Sequence, residues 1–322
     1  MTMPAELTLS AYTGDGDLRA IEAVRSAVRT IKPDAWLPGP DTDPAPERLR
    51  YCRIARVGET PVGYTWMDWW TEWNGTRLLL VLGYVHPRWR RRGIGGGLLA
   101  WQIRAARQDP PVLHGDGPYV FGGNADTDQP DVRDLLERAG FRLVFTVVEL
   151  ECDLAETAPA PVPLPDGLVE RNLGEAEHRL IHAAIEESFA TGAHAHVPRT
   201  FEEYRRDVAE RQSDTALWCV AWDGEQVAGV VINEMGDSGT GVTPWVAVRA
   251  PYRRRGLATA LVRTGLARCA AAGLERVRIS TVLENANQTV GFYERTGYRE
   301  VLRRPRYRRP FTEDGDRPGE PS

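Results

Sequence analysis

The sequence predicts an α/β fold made of two related domains in tandem, each built around a mixed sheet. Three observations lead to this prediction. A strand, an arginine-rich turn and a helix occur in the same order twice along the 322 residues. In both halves, apolar runs typical of buried strands alternate with runs of helical periodicity. A Pro- and Ala-rich stretch at 155–165 separates the halves and is typical of an extended, semi-rigid linker.

The repeated turn is the feature around which each half is arranged. Its two copies are 163 residues apart, counted from Arg90 to Arg253. A second repeat supports a duplication, because the run at 135–141 matches the run at 292–298 with an offset of 157 (Leu136 to Tyr293). The copies of the turn are Val85-His86-Pro87-Arg88-Trp89-Arg90-Arg91-Arg92-Gly93-Ile94-Gly95 and Val248-Arg249-Ala250-Pro251-Tyr252-Arg253-Arg254-Arg255-Gly256-Leu257-Ala258.

The elements of the first half follow from apolar spacing and turn residues. Asp17 is expected to cap the first helix, which Pro33 ends. Gly58-Glu59 predicts a hairpin turn, and Gly140 ends the last helix. The predicted elements, in order, are a strand at 7–12, a helix through residues 21, 24 and 28, a loop at 31–47, strands at 51–57, 62–69 and 78–84, a helix at 94–106, a strand at 119–122, a helix at 132–139 and a closing strand at 141–150.

The second half repeats this order. Asp223-Gly224 is a strong hairpin signal, and Gly297 ends the last helix. We therefore expect a first domain at 1–154, the linker at 155–165, a second domain at 166–310 and a disordered tail at 311–322. The predicted elements are a strand at 168–171, helices at 175–189 and 201–211, strands at 217–222, 227–235 and 242–248, a helix at 257–272, a strand at 277–282, a helix at 289–295 and a strand that begins at 298–302.

Composition excludes several classes of protein. The net charge of −5 argues against nucleic acid as the main partner, because a basic face is its usual footprint. No apolar run is long enough for a membrane span, and the first ten residues lack a secretory signal. The four cysteines show no metal spacing, so we expect a cytoplasmic protein without a metal. Lys32 is the only lysine, which is typical of a GC-rich bacterial genome. Both a monomer and a homodimer stay open.

The arginine turn has the chemistry of a phosphate or pyrophosphate site. The first N–H groups of a helix have no partner within the helix, and the helix dipole places partial positive charge there. Gly93 and Gly256 allow the backbone to approach a ligand closely, and the arginines add bidentate donors. Neither turn contains the Gly-Lys-Ser/Thr of a Walker loop or a Gly-x-Gly-x-x-Gly dinucleotide fingerprint.

The motif Arg-x-x-Gly-x-Gly/Ala between a strand and a helix resembles the acetyl-CoA pyrophosphate loop of the GNAT acyltransferase superfamily. Arg90, Gly93 and Gly95 match it in the first half, and Arg253, Gly256 and Ala258 in the second. The resemblance implies two GNAT-like acyl-CoA N-acyltransferase domains and direct transfer of an acetyl group from acetyl-CoA to a small-molecule primary amine. The residues expected to hold acetyl-CoA are Trp245, Val246, Val248, Arg253, Arg254, Arg255, Gly256, Leu257, Ala258 and Asn285, with Val85, Arg90, Arg92, Gly93 and Gly95 in the first half.

Tyr293 is the expected catalytic acid. In the resembled pattern, the tyrosine of Tyr-x-x-x-Gly-Tyr/Phe lies near the sulfur of the departing thiolate, where a phenol can donate a proton. The alternative is a core tyrosine packed beside Phe292. Asn285 and Asn287 precede the helix, and each could cap it or hydrogen-bond the pantetheine arm. Leu136 occupies the position of Tyr293 in the first half and has no proton to donate, so the first domain is expected to be catalytically silent.

The sequence leaves several groups as candidates for the general base. Related enzymes often place a glutamate on the strand before the turn, but 242–245 contain no carboxylate. Glu234 on the preceding strand is the first choice, with Asp237 behind it. His194 and His196 lie in the loop that usually covers the acceptor pocket, and ordered water would also serve.

Several alternatives remain at this point. The layout also resembles mycothiol synthase, a tandem GNAT enzyme with a silent first half, for which the deacetylated cysteinyl pseudodisaccharide is the deciding substrate. A tRNA-dependent aminoacyltransferase is disfavoured by the two intact turns and the acidic charge. A non-catalytic acyl-CoA sensor is disfavoured by Tyr293. Core packing or an aromatic acceptor wall would explain the group of Trp66, Trp69, Trp70 and Trp73.

Overall fold

The computed structural model describes residues 7–33, 35–72, 74–157, 160–171, 173–174, 176–190, 198–210, 214–236, 238–285 and 288–312. The chain forms two compact units. The first contains the residues up to Val144 together with those from Arg306 onward, and the second is Phe145–Pro305. Helices and strands alternate in both, so the predicted mixed α/β class is confirmed.

The first half of the sequence begins with a strand and a helix and continues into a hairpin, as predicted. The third and fourth strands are longer than expected. The elements are β1 Leu7–Ala11, α1 Asp15–Arg29, α2 Pro46–Leu49, β2 Arg53–Val57, β3 Thr60–Thr71, β4 Arg77–Val85, α3 Ile94–Gln108, β5 Tyr119–Asn124, α4 Pro130–Arg138, β6 Arg142–Asp153 and α5 Leu154–Thr157.

The second half follows the same order, with a short first strand. Its elements are β7 Val169–Glu170, α6 Glu177–Phe189, α7 Phe201–Glu210, β8 Cys219–Asp223, β9 Gln226–Met235, β10 Thr240–Val248, α8 Leu257–Ala271, β11 Arg276–Val282, α9 Thr289–Arg295 and β12 Arg299–Pro310.

Each unit contains one parallel pair of strands. In the first unit the strand order is β1-β2-β3-β4-β5, and β4 and β5 run parallel. In the second unit β6, β11, β10, β9, β8 and β7 follow one another, and β10 and β11 run parallel. A parallel pair needs a crossover, which α3 and α8 supply, and both helices begin at the arginine turns.

The closing strand of each half pairs across the predicted domain boundary. Strand β6 pairs antiparallel with β11 in the second unit, from Val147 to Asp153. Residues 306–310 of β12 pair antiparallel with β5 in the first unit. The compact units divide near 144 and 305, and the domain limits expected at 154 and 310 stay a prediction. The pattern of a strand shows which face is buried but not which edge receives it, so this exchange was not visible in the sequence.

Three local expectations differ from the structure. Helix α1 begins at Asp15, and Asp17 lies inside its first turn, where its carboxylate accepts hydrogen bonds from the backbone N–H and hydroxyl of Thr13, both at 2.7 Å. The linker begins with the helical turn α5. The expected tail is ordered at its start, because Phe311 stacks on Phe121 with ring centroids 5.2 Å apart.

The two faces of the first sheet carry separate cores. Even-numbered residues of β3 and β4, such as Trp66 and Leu80, pack with Ile21 of α1. Odd-numbered residues, such as Met67 and Leu79, pack with the α3 side. Trp66 is fully buried, which supports core packing for the tryptophan group, and Trp70 packs on the same face. Trp73 lies outside the described residues.

Candidate functional site

The two arginine turns have the same backbone conformation. Each strand is followed by a short 3-10 helix, Pro87–Trp89 in the first turn and Ala250–Tyr252 in the second. Arg91 and Arg254 then adopt left-handed φ values of 63° and 62°. A left-handed residue within such a turn directs successive backbone N–H groups into one concave site, which suits an anion.

The glycines that follow are also left-handed. Gly93 and Gly256 have φ values of 80° and 83°, and each directly precedes a helix, α3 or α8. A Cβ on Gly256 would meet no atom within 4 Å. A side chain there is therefore disfavoured by the backbone conformation and not by crowding.

The first arginine of each motif is used by the protein itself. Arg253 donates from Nε to the carbonyl oxygen of Val248 at 2.9 Å and from a terminal nitrogen to that of Ser188 at 3.3 Å. Arg90 donates similarly to Val85 at 3.5 Å. Both side chains therefore fold back on the end of the preceding strand. Arg254 and Arg255 are exposed, and Arg255 also donates to the carbonyl oxygen of Asp166 at 3.4 Å.

The parallel strands of the second unit separate beside this turn. Strand β10 pairs with β11 only from Thr240 to Val242. Beyond that point residues 245–248 pair with β9 on their other edge. The β11-facing edge of this segment, which includes Trp245, Val246 and Val248, therefore lies outside the β10–β11 pairing. Binding of an extended ligand along this edge stays a prediction.

A β-bulge causes the separation. Thr243 and Pro244 together stand opposite the single residue Asn233 on β9, where the register shifts. Pro244 has no N–H and is compatible with a sheet at such a bulge. Because the bulge rotates the strand, it redirects the residues that follow, beginning with Trp245.

A chain of buried polar groups supports the bulge. Thr243 donates from its hydroxyl to the side-chain oxygen of Asn233 at 2.7 Å, and Asn233 donates to the carbonyl oxygen of Leu217 at 3.0 Å. Tyr298 is buried as well, and burial holds the pKa of its phenol well above the usual range, while Thr243 has a smaller, opposite effect on this pKa. All three side chains are buried, so each needs its partners.

Replacing Thr243 with valine is expected to lower the free energy of unfolding by about 1–3 kcal/mol, because it leaves buried oxygens without their partner. Chemical denaturation monitored by tryptophan fluorescence measures the effect. Thr243→Ser keeps the hydroxyl and should lose much less. Equal losses in the two variants would show that packing, and not the hydrogen bond, supports the bulge.

Tyr293 lies on α9 close to the separated strands. Its side chain is 5% exposed and packs edge-on against Phe292 and Tyr298, with ring centroids 5.0 and 5.6 Å away. Burial raises the pKa of the phenol far above its ordinary value, so the group keeps its proton at any working pH. Asn285 lies in the turn before α9, and Asn287 is outside the described residues.

A pocket lies between α6, α7 and the strands β9 and β10. Its walls include His182 and Glu186 from α6, Tyr204 from α7, and Glu234 and Trp245 from the sheet. Glu234 thus lines this pocket, and its role as a base stays a prediction. Trp245 belongs both to this pocket and to the separated segment of β10. His194, His196 and Asp237 lie outside the described residues.

Hydrogen bonds order the helical wall of this pocket. Nε2 of His182 is 2.8 Å from the carbonyl oxygen of Arg199. Because a carbonyl oxygen can only accept a hydrogen bond, Nε2 carries the hydrogen. Nδ1 then has the lone pair in the neutral ring. Nδ1 of His178 bonds to the hydroxyl of Tyr204 at 2.9 Å. Arg199 is also ion-paired with Asp207. The sequence analysis missed these residues, although the spacing of His178, His182 and Glu186 by four on a predicted helix was an available signal.

The first unit lacks several of these features. Strands β3 and β4 pair without a register shift from Gly63 to Thr71, so no bulge interrupts them. Leu136 is buried, and its Cδ2 lies 2.6 Å from the place where a Cβ on Gly123 would be. A Cβ on Gly95 would be 3.3 Å from Leu135 and 3.9 Å from Val85, so apolar groups converge on the start of α3.

The loop at 35–41 covers the α1 side of the first sheet. Arg25 of α1 binds the carboxylate of Asp41 with two hydrogen bonds of 2.9 Å. Tyr64 and Tyr84 on β3 and β4 donate to the carbonyl oxygens of Pro38 and Trp36, at 3.2 and 3.0 Å. By strand register, this is the face that corresponds to the pocket of the second unit. The first unit therefore fills that space with its own chain.

Asp68 occupies the register position that Glu234 has in the second unit. Gly63 pairs with Val85 in the first unit, and Gly229 pairs with Val248 in the second. Asp68 and Glu234 each lie five residues further along their strands, so they occupy equivalent positions. Asp68 is ion-paired with Arg48, and burial raises the pKa of its carboxyl group. Its carboxylate is thus engaged by a neighbouring side chain.

The side chains and helices were compared with the requirements of a metal site and of a membrane span. Among the described residues, no group of three or more His, Cys, Asp or Glu side chains has the arrangement of a metal site. Over the same part of the chain, no helix has both the length and the apolar character to cross a membrane.

A mixed sheet whose parallel strands separate beside an arginine-rich turn, with a tyrosine on the next helix, is the arrangement expected from the resemblance of the sequence to acyltransferases. Residues 178–298 match the model of the acetyltransferase (GNAT) family. This stretch of the second half is therefore similar to GNAT-family acetyltransferases, and the chain is an acyltransferase with a tandem GNAT-like fold.

Similar proteins agree with this assignment. A mycothiol acetyltransferase of Geodermatophilus obscurus is 29% identical over 227 residues, which are 66% of this chain and 68% of the relative. A second, from Clavibacter michiganensis, is 29% identical over 229 residues, or 70% of both chains. A GCN5-related N-acetyltransferase from Sphaerobacter thermophilus superposes with a TM-score of 0.76 at 23% identity, covering 99% of this chain and 98% of that chain. A tandem GNAT protein from the clavulanic acid biosynthesis pathway has a TM-score of 0.64 at 15% identity, covering 95% and 99%.

Proposed function

We propose that the second unit transfers the acetyl group of acetyl-CoA directly to the primary amine of a small molecule. One observation carries this proposal. Residues 245–248 have their β11-facing edge beside the arginine turn, and the side chain of Trp245 lines the pocket that contains Glu234. A thioester held along this strand and an amine held in the pocket would therefore meet at the same segment. Such placement removes much of the entropic barrier of a two-substrate reaction.

The residues present fit acetyl-CoA. The backbone N–H groups of the turn from Arg254 to Ala258 and the exposed guanidinium groups of Arg254 and Arg255 would hold the pyrophosphate. Leu257 is buried and anchors the start of α8. Backbone groups of 245–248 would hold the arm, and Asn285 is a further candidate contact.

The reaction follows from these positions. The neutral amine nitrogen attacks the thioester carbonyl carbon and forms a tetrahedral intermediate. As this collapses to the amide, the carbon–sulfur bond breaks, and the second proton of the nitrogen passes through water to the departing thiolate, which leaves as the thiol of CoA. Glu234, directly or through water, takes the proton that the ammonium form must lose. Tyr293 donates a hydrogen bond to the departing sulfur. The phenol is a weaker acid than a thiol, so it stabilises the developing charge without having to give up its proton fully.

We infer that the acceptor is the deacetylated precursor of mycothiol. Two relatives named mycothiol acetyltransferase support this choice. The sequence raised the objection that the strand before the second turn has no carboxylate. We propose that Glu234, which lines the pocket from the neighbouring strand, supplies the carboxylate instead.

A thiol-release assay with an amine panel tests the function. The deacetylated cysteinyl pseudodisaccharide is expected to give the highest kcat/KM, with acetylated amine detected by mass spectrometry. A higher kcat/KM for another small amine would keep the acetyltransferase and reject the mycothiol assignment. Tight acetyl-CoA binding without turnover of any amine would favour an acyl-CoA sensor.

Glu234→Gln is expected to lower kcat/KM by about 10²–10⁴-fold near neutral pH, where the amine needs a proton acceptor. The loss should shrink above the pKa of the amine, about 8 for an α-amino group, because the substrate is then already neutral. Glu186→Gln, a change on the opposite wall, is the matched control and should lack this pH dependence. A loss that is constant with pH would assign Glu234 to acceptor binding alone.

We further propose that the first unit is catalytically silent and that the functional domains are the two compact units. Leu136, the regular pairing of β3 with β4, the covering loop and the ion-paired Asp68 all support this proposal. The turn at Arg90 to Gly95 keeps the anion-binding conformation, so the first unit would still be able to hold a phosphate group.

A further inference from the structure

The last turn of α6 is attached to the strand and turn that would carry acetyl-CoA. Glu187 accepts a hydrogen bond from Nε of Arg249 at 2.9 Å. The carbonyl oxygen of Ser188 accepts one from Arg253 at 3.3 Å. Phe189 packs edge-on against Trp245, with ring centroids 5.3 Å apart. Three consecutive residues of the helix thus each contact a different residue of the 245–253 segment.

Both arginines also bind the sheet, so they act as bridges. Arg249 contacts the side chain of Gln226 at 3.3 Å and the carbonyl oxygen of Val227 at 3.5 Å, both on β9. Arg253 contacts Val248 at the end of β10. A helix end has carbonyl groups without partners in the helix, and a guanidinium satisfies them well.

The same helix forms one wall of the acceptor pocket. His182 and Glu186 lie on α6, and Glu186 directly precedes the attached turn. A shift of this turn relative to β10 would therefore move the helical wall away from Glu234 and Trp245. The position of the helix decides the width of the pocket.

The first unit offers an internal comparison. Arg90 has the strand contact that Arg253 has, at 3.5 Å to Val85. The position of Arg249 is occupied by His86, whose Nδ1 accepts from the backbone N–H of Arg88. Among the described residues, no hydrogen bond or ion pair joins Arg90 or His86 to α1. The attachment is thus present in the second unit, and Arg90 and His86 do not provide it in the first unit, where the loop at 35–41 covers the corresponding face of the sheet.

We propose that Arg249 and Arg253 are positioning residues that fix the end of α6 to β10. The segment that carries the arginine turn thereby determines the width of the acceptor pocket. This inference rests on the proposed function of the second unit. Neither side chain needs to touch the amine. Their effect reaches it through His182 and Glu186.

Arg249→Met tests the inference in the full-length protein. The Arg249–Glu187 pair is partly exposed, so we expect KM for the acceptor to rise about two- to fivefold. The affinity for acetyl-CoA, measured by calorimetry, and kcat should stay within about twofold. Glu187→Gln should raise KM similarly, and the double variant should add little, because both changes remove one interaction. Arg171→Met breaks an ion pair with Glu225 elsewhere in the unit and is the matched control.

The outcomes separate the inference from the function on which it rests. A wild-type protein that acetylates no amine would reject the proposed function. An active wild type with an unchanged acceptor KM in Arg249→Met, or an equal loss of acetyl-CoA affinity, would reject only the positioning role. Hydrogen–deuterium exchange gives a readout independent of activity. The amides of 187–190 should exchange faster in Arg249→Met, and unchanged exchange there would also overturn the inference.

Discussion

Replacing Gly256 with glutamate is expected to abolish acetyl-CoA binding by the second unit. Gly256 has a φ of 83°, a conformation that costs a residue with a Cβ about 1–2 kcal/mol. The new carboxylate would also place negative charge beside the N–H groups that start α8, where a pyrophosphate is expected. Calorimetric titration of acetyl-CoA into wild type and variant measures the affinity and the stoichiometry.

The matched variant is Gly93→Glu, which makes the same change at a φ of 80° in the first turn. A wild-type stoichiometry of two that falls to one in either variant would show that both units hold acetyl-CoA. A stoichiometry of one that is lost only in Gly256→Glu would show that the first turn is empty. Unchanged binding in Gly256→Glu would place acetyl-CoA elsewhere and reject the assignment of the second turn.

Tyr293→Phe is expected to lower kcat by about 10²–10⁴-fold, with little change in acetyl-CoA affinity. The change removes only a hydroxyl, and the ring keeps its packing against Phe292 and Tyr298. The loss therefore reports the hydrogen bond to the departing sulfur. Steady-state kinetics with a saturating acceptor gives the measurement.

Tyr252→Phe is the control, because it removes a hydroxyl that bonds to Asp223 in the same unit. It should leave kcat unchanged. A Tyr293→Phe variant that loses thermal stability but keeps its kcat would show a core tyrosine. Because burial raises the pKa of Tyr293, the wild-type rate should show no decline from ionisation of this group below about pH 10.

Glu234 illustrates how far reasoning from the sequence reached the candidate site. Its selection followed from strand order, since it lies on the strand before β10, and the structure places it in the pocket. Tyr293 and the turn residues were selected because they lie in repeated segments whose structure depends on short-range spacing. The places of His182 and Glu186 in the pocket wall and the contact of Arg249 with Glu187 were not visible in the sequence, because they depend on how separate elements pack.

The comparison of the two halves also separates features visible in the sequence from features that depend on tertiary contacts. The sequence showed that Leu136 stands where Tyr293 stands, which was enough to predict a silent first unit. It did not show that the loop at 35–41 fills the equivalent space, because this depends on Arg25 and Asp41 meeting across the fold. The bulge at Pro244 was readable in principle, since proline within a strand is typical of one.

The sequence by itself determined the duplication, the order of strands and helices, the two arginine turns and the tyrosine, because periodicity and turn chemistry act over a few residues. The tertiary structure decided which sheet receives β6 and β12, where the compact units divide, which arginines remain exposed and what lines the acceptor pocket. These features depend on edges and side chains brought together from distant positions. Local pattern encodes the face that a segment buries, but not the partner that covers it.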